Sequence, residues 1–194
     1  MISAIILAAG QSKRMGQPKM LLPWGKSTVI EHVISIFLNA GIEDVLVVTG
    51  GARELVEAIV SQYPVRKIHN RDYAAGEMLS SIQCALRTMP YQAQAALIGL
   101  GDQPQLEEKN VRLIHQEFRV SQPSLIVPSF QMRRGHPWLI ARPLWNEILG
   151  LKPPASPRDF LTRHANEIHY VSVDTPSILA DLDTQEDYEK SHPT

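Results

Sequence analysis

Residues 2–19 of this chain read ISAIIL followed directly by AAGQSKRMGQPK, and this stretch is the most informative part of the sequence. The apolar part predicts a buried β-strand, and the rest predicts a turn of small and basic residues. Glycines at Gly10 and Gly16 permit positive φ, so that successive backbone N–H groups can converge on an anion. The turn also contains basic residues and ends at one of them, Lys19. These residues supply the positive charge that binds phosphates. The stretch therefore predicts a nucleoside triphosphate site, and the alternative is a solvated basic loop.

Two better-known phosphate motifs do not fit the sequence. Gly25-Lys26-Ser27 resembles the end of a P-loop, but the first glycine of that motif would fall at Met20. A dinucleotide-binding G-x-G-x-x-G is missing as well, because the residues between Gly10 and Gly16 contain no third glycine. The sequence therefore disfavours both a Walker A ATPase and a dehydrogenase.

Length and composition limit the class of protein. The chain has 194 residues, of which 44% are hydrophobic, and this suits one α/β domain with a substantial core. The formal net charge of −1 disfavours nucleic acid or an anionic membrane as the main partner. The one cysteine, Cys84, excludes an internal disulfide, and we expect it to pack on the apolar side of a helix. The sequence has neither a secretory leader nor an apolar run of about 18 residues, so we expect a cytoplasmic protein.

Strands and helices alternate in the first half of the chain. Residues 28–31 have the form of a capping box, and apolar residues at helical spacing continue from there until Gly41. This order predicts an α/β fold, namely a single Rossmann-like domain with a mainly parallel central sheet and helices on both faces. Further strands are predicted at 45–48, 65–68 and 95–100, and further helices at 55–60 and 79–89.

The pattern is less regular after residue 120. Residues 125–127 and 137–140 are predicted strands, separated by a polar loop at 129–136. Residues 152–157 resemble a stiff, proline-rich linker. Strand-like composition returns at 170–173 and 178–182, and a short helix is predicted near 186–190.

Polar residues at the ends of these elements are candidates for a site. Asp102 directly follows an apolar strand, where a carboxylate loses solvation unless a partner such as Mg²⁺ offsets the cost; capping of the next helix is the alternative. Asp183 precedes the predicted helix near 186–190, where acidic residues are common as N-caps. Ser80 and Ser81 stand at the start of a predicted helix, where they could bind an anion or a base edge, or cap the helix.

Residues 7–19, LAAGQSKRMGQPK, resemble the signature L-A-A-G-x-S-x-R-M-G-x-x-K of the MobA-like nucleotidyltransferases, and specifically the branch of the molybdenum cofactor cytidylyltransferases. The chain departs from the pattern of that branch at Glu77 and at Gln185, which replaces a proline. Later segments resemble the same branch: GEMLSSI at 76–82, GDQP at 101–104, GHP at 135–137 and DLDTQEDY at 181–188.

The resemblance implies one nucleotidyltransferase domain in which residues up to about 105 bind CTP and the rest of the chain, 106–194, binds the acceptor. The implied reaction joins CTP to the molybdopterin-bound molybdenum cofactor. It yields the molybdopterin cytosine dinucleotide and pyrophosphate. The implied partner is a molybdenum hydroxylase that receives the product.

The resemblance also implies roles for individual residues. Arg14, Lys19 and Asp102 are the implied catalytic residues. Asp102 and Asp183 would hold Mg²⁺, with Mn²⁺ as the alternative because both ions accept oxygen ligands. Arg134 and His136 are expected to bind the acceptor from a flexible basic loop, and a solvated arginine-rich loop is the alternative. The nucleotide is expected to contact Leu7, Ala8, Ala9, Gly10, Ser12, Arg14, Lys19, Met78, Ser80 and Ser81.

Two other functions stay open on the sequence alone. One is a guanylyltransferase, or an NTP transferase that uses another small phosphate substrate; the pair Ser80-Ser81 argues against the guanylyl form, whose members carry a G-P-L-A-G type segment there. The other is a non-catalytic nucleotide-binding accessory protein for a molybdenum hydroxylase. The presence of both Asp102 and Asp183 favours the enzyme, because a scaffold needs no pair of metal carboxylates.

Overall fold

The computed structural model describes residues 1–75 and 77–193. Within them, strands and helices alternate through most of the chain. The strands are β1 (Ile2–Ala8), β2 (Pro23–Trp24), β3 (Ser27–Thr28), β4 (Asp44–Thr49), β5 (Arg66–His69), β6 (Ala95–Leu100), β7 (Leu125–Phe130), β8 (Arg133–Arg134), β9 (Trp138–Ala141) and β10 (His169–Ser172). The helices are α1 (Val29–Asn39), α2 (Arg53–Val60), α3 (Glu77–Leu86), α4 (Glu108–Ser121), α5 (Trp145–Gly150), α6 (Pro157–Arg163) and α7 (Gln185–Ser191). Short 3₁₀ helices cover Lys19–Leu21, Arg142–Leu144 and Pro176–Leu179.

Eight of the strands form one sheet in the order β10-β7-β9-β6-β1-β4-β5, with β8 paired to β7. β1 lies between β4 and β6 and is parallel to both. β5 and β10 are also parallel to their neighbours, whereas β9 runs antiparallel to β6 and β7. The mainly parallel α/β fold is therefore confirmed. The reversed strand β9 was not predicted, because its apolar composition is the same in either direction.

Helices cover both faces of this sheet, as predicted. Successive side chains of a strand point to opposite faces, so β1 supplies Ala4 and Ile6 to one core and Ile5 and Leu7 to the other. The first core contains buried residues of α1, α2 and α4, and the second contains buried residues of α3, α5 and α6. The central strand is thus fixed from both sides, and the loop that follows it starts from a rigid base.

Helix α1 begins at the predicted capping box. Thr28 N donates to Glu31 Oε2 at 2.7 Å, and Glu31 N donates in return to Thr28 Oγ1 at 3.5 Å. The chain leaves the helix at Gly41, whose φ of 86° suits glycine. The capping box therefore fixes the point at which the long turn after β1 ends and α1 begins.

Other predictions have mixed outcomes. The strand predicted at 178–182 is wrong: Pro176–Leu179 is a 3₁₀ helix, and Leu182 is fully buried without joining the sheet. The apolar composition there reflects burial and not strand pairing. Cys84 lies partly buried on α3, and burial raises the pKa of its thiol. No helix in the described ranges is long and apolar enough to cross a membrane.

Candidate active site

A cavity of about 300 Å³ lies at the carboxyl ends of the central strands β1 and β6. Open α/β sheets bind ligands at this edge, because the loops that leave the strands converge there. The start of α3 and the segment before α7 complete the wall. The lining residues are Leu7, Ala9, Gly10, Lys19, Met20, Tyr73, Glu77, Met78, Ser81, Leu100, Asp102, Asp181 and Asp183. Predicted residues from four separate motifs therefore meet in one place, whereas Ala8, Ser12, Arg14 and Ser80 lie outside the lining itself.

Lys19 brings two distant acidic residues together. Its side chain is nearly buried, and its Nζ contacts a carboxylate oxygen of Asp102, 83 residues further along the chain. The same Nζ donates to the Leu182 carbonyl at 3.1 Å and lies 3.6 Å from Asp183 Oδ1. Arg14 Nη1 donates to Asp183 Oδ2 at 2.7 Å from the exposed side. Two predicted cations and two predicted carboxylates thus form one network.

Asp181 is a third carboxylate of this cavity, to which the sequence analysis gives no role. Burial raises the pKa of Asp181, and the negative charges of Asp102 and Asp183 raise it further. Leu182 N donates to the Asp102 carbonyl at 3.0 Å, so this segment runs directly past the loop after β6. Leu182 is fully buried, while both acidic neighbours line the cavity. The alternation of acidic and apolar residues at 181–183 is the signal that could have identified Asp181.

The turn after β1 positions Lys19. Ser12 and Gly16 have positive φ, at 50° and 67°, but Gly10 does not; the predicted glycine conformation therefore occurs at Gly16 and is wrong for Gly10. Ser12 Oγ accepts from Lys19 N at 3.0 Å, and Ser12 O accepts from Met15 N at 3.0 Å. These bonds close the turn on itself and fix the backbone from which Lys19 reaches Asp102. A second hollow of about 240 Å³ at this turn is lined by Gly10, Gln11, Ser12, Lys13, Gly16, Gln17, Pro18, Gly51 and Ala52.

The start of α3 forms another part of the cavity wall. Asn70, which follows β5, is buried, and its Nδ2 donates to Ser80 Oγ at 2.8 Å and to Ser81 Oγ at 3.0 Å. Ser80 donates in turn to the Glu77 carbonyl at 3.1 Å, while Ser81 lines the cavity. The two predicted serines therefore differ: the hydroxyl of Ser80 also donates within the helix, whereas Ser81 lines the cavity and shows no such bond among the described residues.

Sequence reasoning missed several residues of this wall. Tyr73 and Glu77 line the cavity beside the predicted Met78, and Asn70 holds the serines from behind. Asn70 could have been suspected because it directly follows β5, at the same edge of the sheet as Asp102 after β6. Gly76, the first residue of the predicted motif, lies outside the described residues.

Arg134 lies on a hairpin and not on a flexible loop. β7 and β8 pair directly, and the turn residues Gln131 and Met132 have positive φ. The exposed Arg134 donates from Nε to the Tyr170 hydroxyl at 2.8 Å, and its guanidinium lies 5.5 Å from the centre of that ring. The expectation of a flexible loop is therefore wrong, because strand pairing and Tyr170 hold this segment.

His136 is partly buried beside the carboxyl edge of the sheet. Its backbone N donates to the Ile178 carbonyl at 3.0 Å, and its Nδ1 lies 3.4 Å from the Ile98 carbonyl. Burial lowers the pKa of the imidazole, and the charge of Asp102 offsets part of this effect. His136 is therefore held by hydrogen bonds and not by a flexible loop, and its role toward an acceptor stays a prediction.

The donor set at Lys19 fits a hard divalent cation that is shared with a substrate. Across residues 1–75 and 77–193, no group of three or more His, Cys, Asp and Glu side chains is arranged to hold a metal ion by itself. Asp102 and Asp183 nevertheless face one cation, the ammonium of Lys19, and the Leu182 carbonyl adds another oxygen. Mg²⁺ commonly takes one or two carboxylates and completes its shell with phosphates and water. The site therefore suits a metal bound together with a nucleotide.

Two curated relatives match the chain along almost its whole length. The chain is 29% identical over 187 residues to the molybdenum cofactor cytidylyltransferase of Escherichia coli K12, covering 96% of this chain and 93% of that protein. It is 31% identical over 193 residues to the nicotine blue oxidoreductase of Paenarthrobacter nicotinovorans, covering 95% and 93%.

Solved structures show the same fold. Rv0371c from Mycobacterium tuberculosis H37Rv matches with a TM-score of 0.85 and 26% identity over 98% of this chain and 97% of that one. A second structure of that protein, a complex with manganese, matches with a TM-score of 0.82 and 26% identity over 97% and 96%. Residues 4–168 match the MobA-like NTP transferase domain. The chain therefore belongs to the MobA-like nucleotidyltransferases.

Proposed function

We propose that this protein is a cytidylyltransferase that transfers CMP from CTP to the molybdopterin-bound molybdenum cofactor, forming molybdopterin cytosine dinucleotide and pyrophosphate. The observation that carries the proposal is the network of Lys19 with Asp102 and Asp183 at the carboxyl ends of β1 and β6. The E. coli relative, which matches along almost the whole chain, supports the choice of base and acceptor.

The chemistry asks for positioning and charge neutralisation. An anionic phosphate oxygen of the acceptor attacks the α-phosphorus of CTP, and the bond between the α-phosphorus and its bridging oxygen breaks as pyrophosphate leaves with the electron pair. No residue needs to remove a proton, because the nucleophile is already ionised. Lys19 and Arg14 bind the triphosphate, and backbone N–H groups of the turn after β1 add neutral donors.

Asp102 and Asp183 are the residues that would hold the divalent cation, Mg²⁺ or Mn²⁺. When bound, the cation supplies positive charge between the reacting and leaving phosphates. Lys19 contacts both carboxylates in the structure, so a bound metal would share these carboxylate oxygens with the ammonium. The Asp181 carboxylate, whose pKa burial raises, adds acceptor capacity beside them.

The acceptor would bind in the second half of the chain. Residues 1–105 would hold the nucleotide and residues 106–194 the pterin, with Arg134 and His136 as the candidate acceptor residues. Arg134 is exposed and carries the charge that a phosphate needs, while His136 lies near Asp102. Delivery of the product to a molybdenum hydroxylase in the cytoplasm belongs to the same proposal.

A ligand panel tests the proposal and its alternatives together. Thermal shifts are measured with CTP, GTP, ATP, UTP and NADH, each with and without Mg²⁺ or Mn²⁺. We expect CTP with metal to stabilise the protein most. Larger stabilisation by GTP would favour a guanylyltransferase, and a shift with NADH alone would favour an activity like that named for the Paenarthrobacter relative.

Turnover separates the enzyme from an accessory protein. Pyrophosphate release is measured with CTP, metal and molybdenum-loaded molybdopterin. The proposal requires release that depends on all three components. Tight CTP binding without release would instead favour a nucleotide-binding accessory protein.

A further inference from the structure

The side-chain amide of Asn70 has a fixed orientation. Asn70 Oδ1 accepts from Asp72 N at 3.0 Å, and the backbone N of Asn70 donates to the Thr49 carbonyl at 3.0 Å. Exchanging the amide oxygen and nitrogen would set an NH₂ group against the Asp72 N–H, so that two donors would face each other and this hydrogen bond would be lost. The two Nδ2 hydrogens must therefore point to Ser80 and Ser81.

This orientation decides what each serine can do. Both hydroxyl oxygens accept from Asn70, so each hydroxyl hydrogen has to go elsewhere. Ser80 gives its hydrogen to the Glu77 carbonyl. Ser81 has no acceptor among the described residues, although it is only 3% exposed and lines the cavity. Ser81 therefore presents a hydrogen-bond donor to whatever fills the cavity.

The wall around Ser81 suits a base better than a phosphate. Tyr73, Met78 and Leu100 contribute aromatic and apolar surface to the same cavity, and the charged residue of this wall is the anionic Glu77, which does not favour a phosphate. Concave pockets that are lined by apolar and aromatic side chains and carry a few placed polar groups are typical binding sites for ring-shaped ligands such as a nucleobase.

We propose that Asn70 is a positioning residue that makes Ser81 a hydrogen-bond donor to the nucleobase, at a ring nitrogen or carbonyl oxygen. This inference rests on the proposed function and adds to it the direction of one base contact. Cytosine offers both kinds of acceptor, at N3 and O2. A base that turned an amino group to Ser81 would leave two donors facing each other.

The first test removes the hydroxyl. In Ser81→Ala we expect the dissociation constant of CTP, with Mg²⁺, to rise about tenfold, because a buried acceptor atom of the base loses its partner. The dissociation constant of inorganic tripolyphosphate with Mg²⁺ should stay unchanged. Ser35→Ala on α1 is the matched control, since the Ser35 hydroxyl is bonded within its own helix, at 2.9 Å to the Glu31 carbonyl. An equal loss for tripolyphosphate would assign Ser81 to the phosphates and overturn the proposal.

The second test reverses the amide. Asn70→Asp keeps the shape but replaces the donor with an acceptor, so that Ser81 would donate to the new carboxylate and not to the base. Ser81→Ala should then cost almost nothing when it is added to Asn70→Asp. Each comparison stays within one background, so the added charge cancels. An undiminished cost of Ser81→Ala in that background would overturn the role of Asn70.

A variant that fails to fold does not end the test. Asn70→Ala then replaces Asn70→Asp: the freed Ser81 hydroxyl can bond to the carbonyl one turn earlier in α3, and the cost of Ser81→Ala should shrink to less than about threefold. The parent protein separates the two levels of the argument. CTP binding that Ser81→Ala leaves unchanged contradicts this inference alone, whereas a parent protein that binds none of the four nucleotides contradicts the proposed function as well.

Discussion

Two cavities lie at opposite edges of the same sheet, and the larger one is not the candidate active site. The cavity at the amino ends of β1, β4 and β6 measures about 610 Å³, against about 300 Å³ at the carboxyl ends. The charged side chains that line the large cavity include Arg119, which lies on α4, and Glu43, which directly precedes β4. The small cavity collects residues from the loops that follow β1, β5 and β6.

The difference shows that topology, and not volume, concentrates chemistry. The carboxyl edge of a parallel sheet receives several long loops at once, and each can deliver a polar side chain to a common point. Lys19, Asp102 and Asp183 meet there although they are far apart in sequence. The first two of the following predictions compare this edge with the amino edge of the sheet, and the later ones compare other pairs of residues.

The largest effect is expected when one carboxylate is neutralised at each edge. Asp102→Asn should lower pyrophosphate release by roughly 10³-fold, because it removes a charged group at the reacting phosphates. Glu43→Gln, at the amino-edge cavity, should leave the rate within about twofold. Steady-state pyrophosphate release in both variants measures this. Equal losses would show that the carboxyl edge has no special role.

The next effect concerns the two cations that line the cavities. Lys19→Met should lower the rate by roughly 10²- to 10³-fold and weaken CTP binding. The same change should strengthen the binding of Mn²⁺ alone by about tenfold or more, because the ammonium no longer repels a metal at Asp102 and Asp183. Titration of free Mn²⁺ by paramagnetic resonance measures this, with Arg119→Met as the control. Weaker Mn²⁺ binding in Lys19→Met would place the metal away from these carboxylates.

A smaller effect is expected on the hairpin, away from the cavity. Arg134→Gln should raise the apparent KM for the pterin acceptor by about tenfold, because a charge-assisted phosphate contact is lost. The CTP dissociation constant should not change. Arg133→Gln is the matched control, since neighbouring residues of a strand point to opposite faces. A raised CTP dissociation constant with unchanged acceptor KM would assign Arg134 to the nucleotide.

The smallest effect is on stability, and its sign should differ between two histidines. Burial by itself lowers the pKa of His164, but hydrogen bonds to Glu147 and Glu167 outweigh it and raise the pKa above its ordinary value. A raised pKa contributes stability below the unfolded pKa of about 6.5, and this is lost as the pH rises through the folded pKa. His164→Gln should therefore lower the melting temperature by about 1–3 °C at pH 5.5 and by less at pH 8.

His115, which lines the amino-edge cavity, is the comparison. Burial lowers its pKa, and the charges of Arg119 and of the terminal amine lower it further. A lowered histidine pKa means that the unfolded chain binds more protons, so this contribution to stability falls as the pH drops. The difference in melting temperature between the parent protein and His115→Gln should shift in favour of the parent as the pH rises from 5.5 to 8. The same trend in both histidine variants would contradict the assigned pKa directions.

Elements that depend on local chemistry could be predicted from the sequence. The capping box at Thr28 fixed the start of α1, and the alternation of strands and helices gave the mainly parallel α/β fold. The turn after β1 and the position of Asp102 after a buried strand indicated the nucleotide edge. These features were predictable because caps, turns and periodic burial depend on residues close together in the chain.

Which distant residues come into contact became visible in the folded structure alone. It placed Lys19 between Asp102 and Asp183, added Asp181 to the same cavity and set Asn70 behind Ser81. It also turned the predicted strand at 178–182 into a 3₁₀ helix. An apolar run predicts that a segment is buried, but not which element packs against it. A buried polar residue predicts that it needs a hydrogen bond or an opposite charge, but not which residue supplies it. Those partners are fixed by the order in which the strands pair, which no local pattern contains.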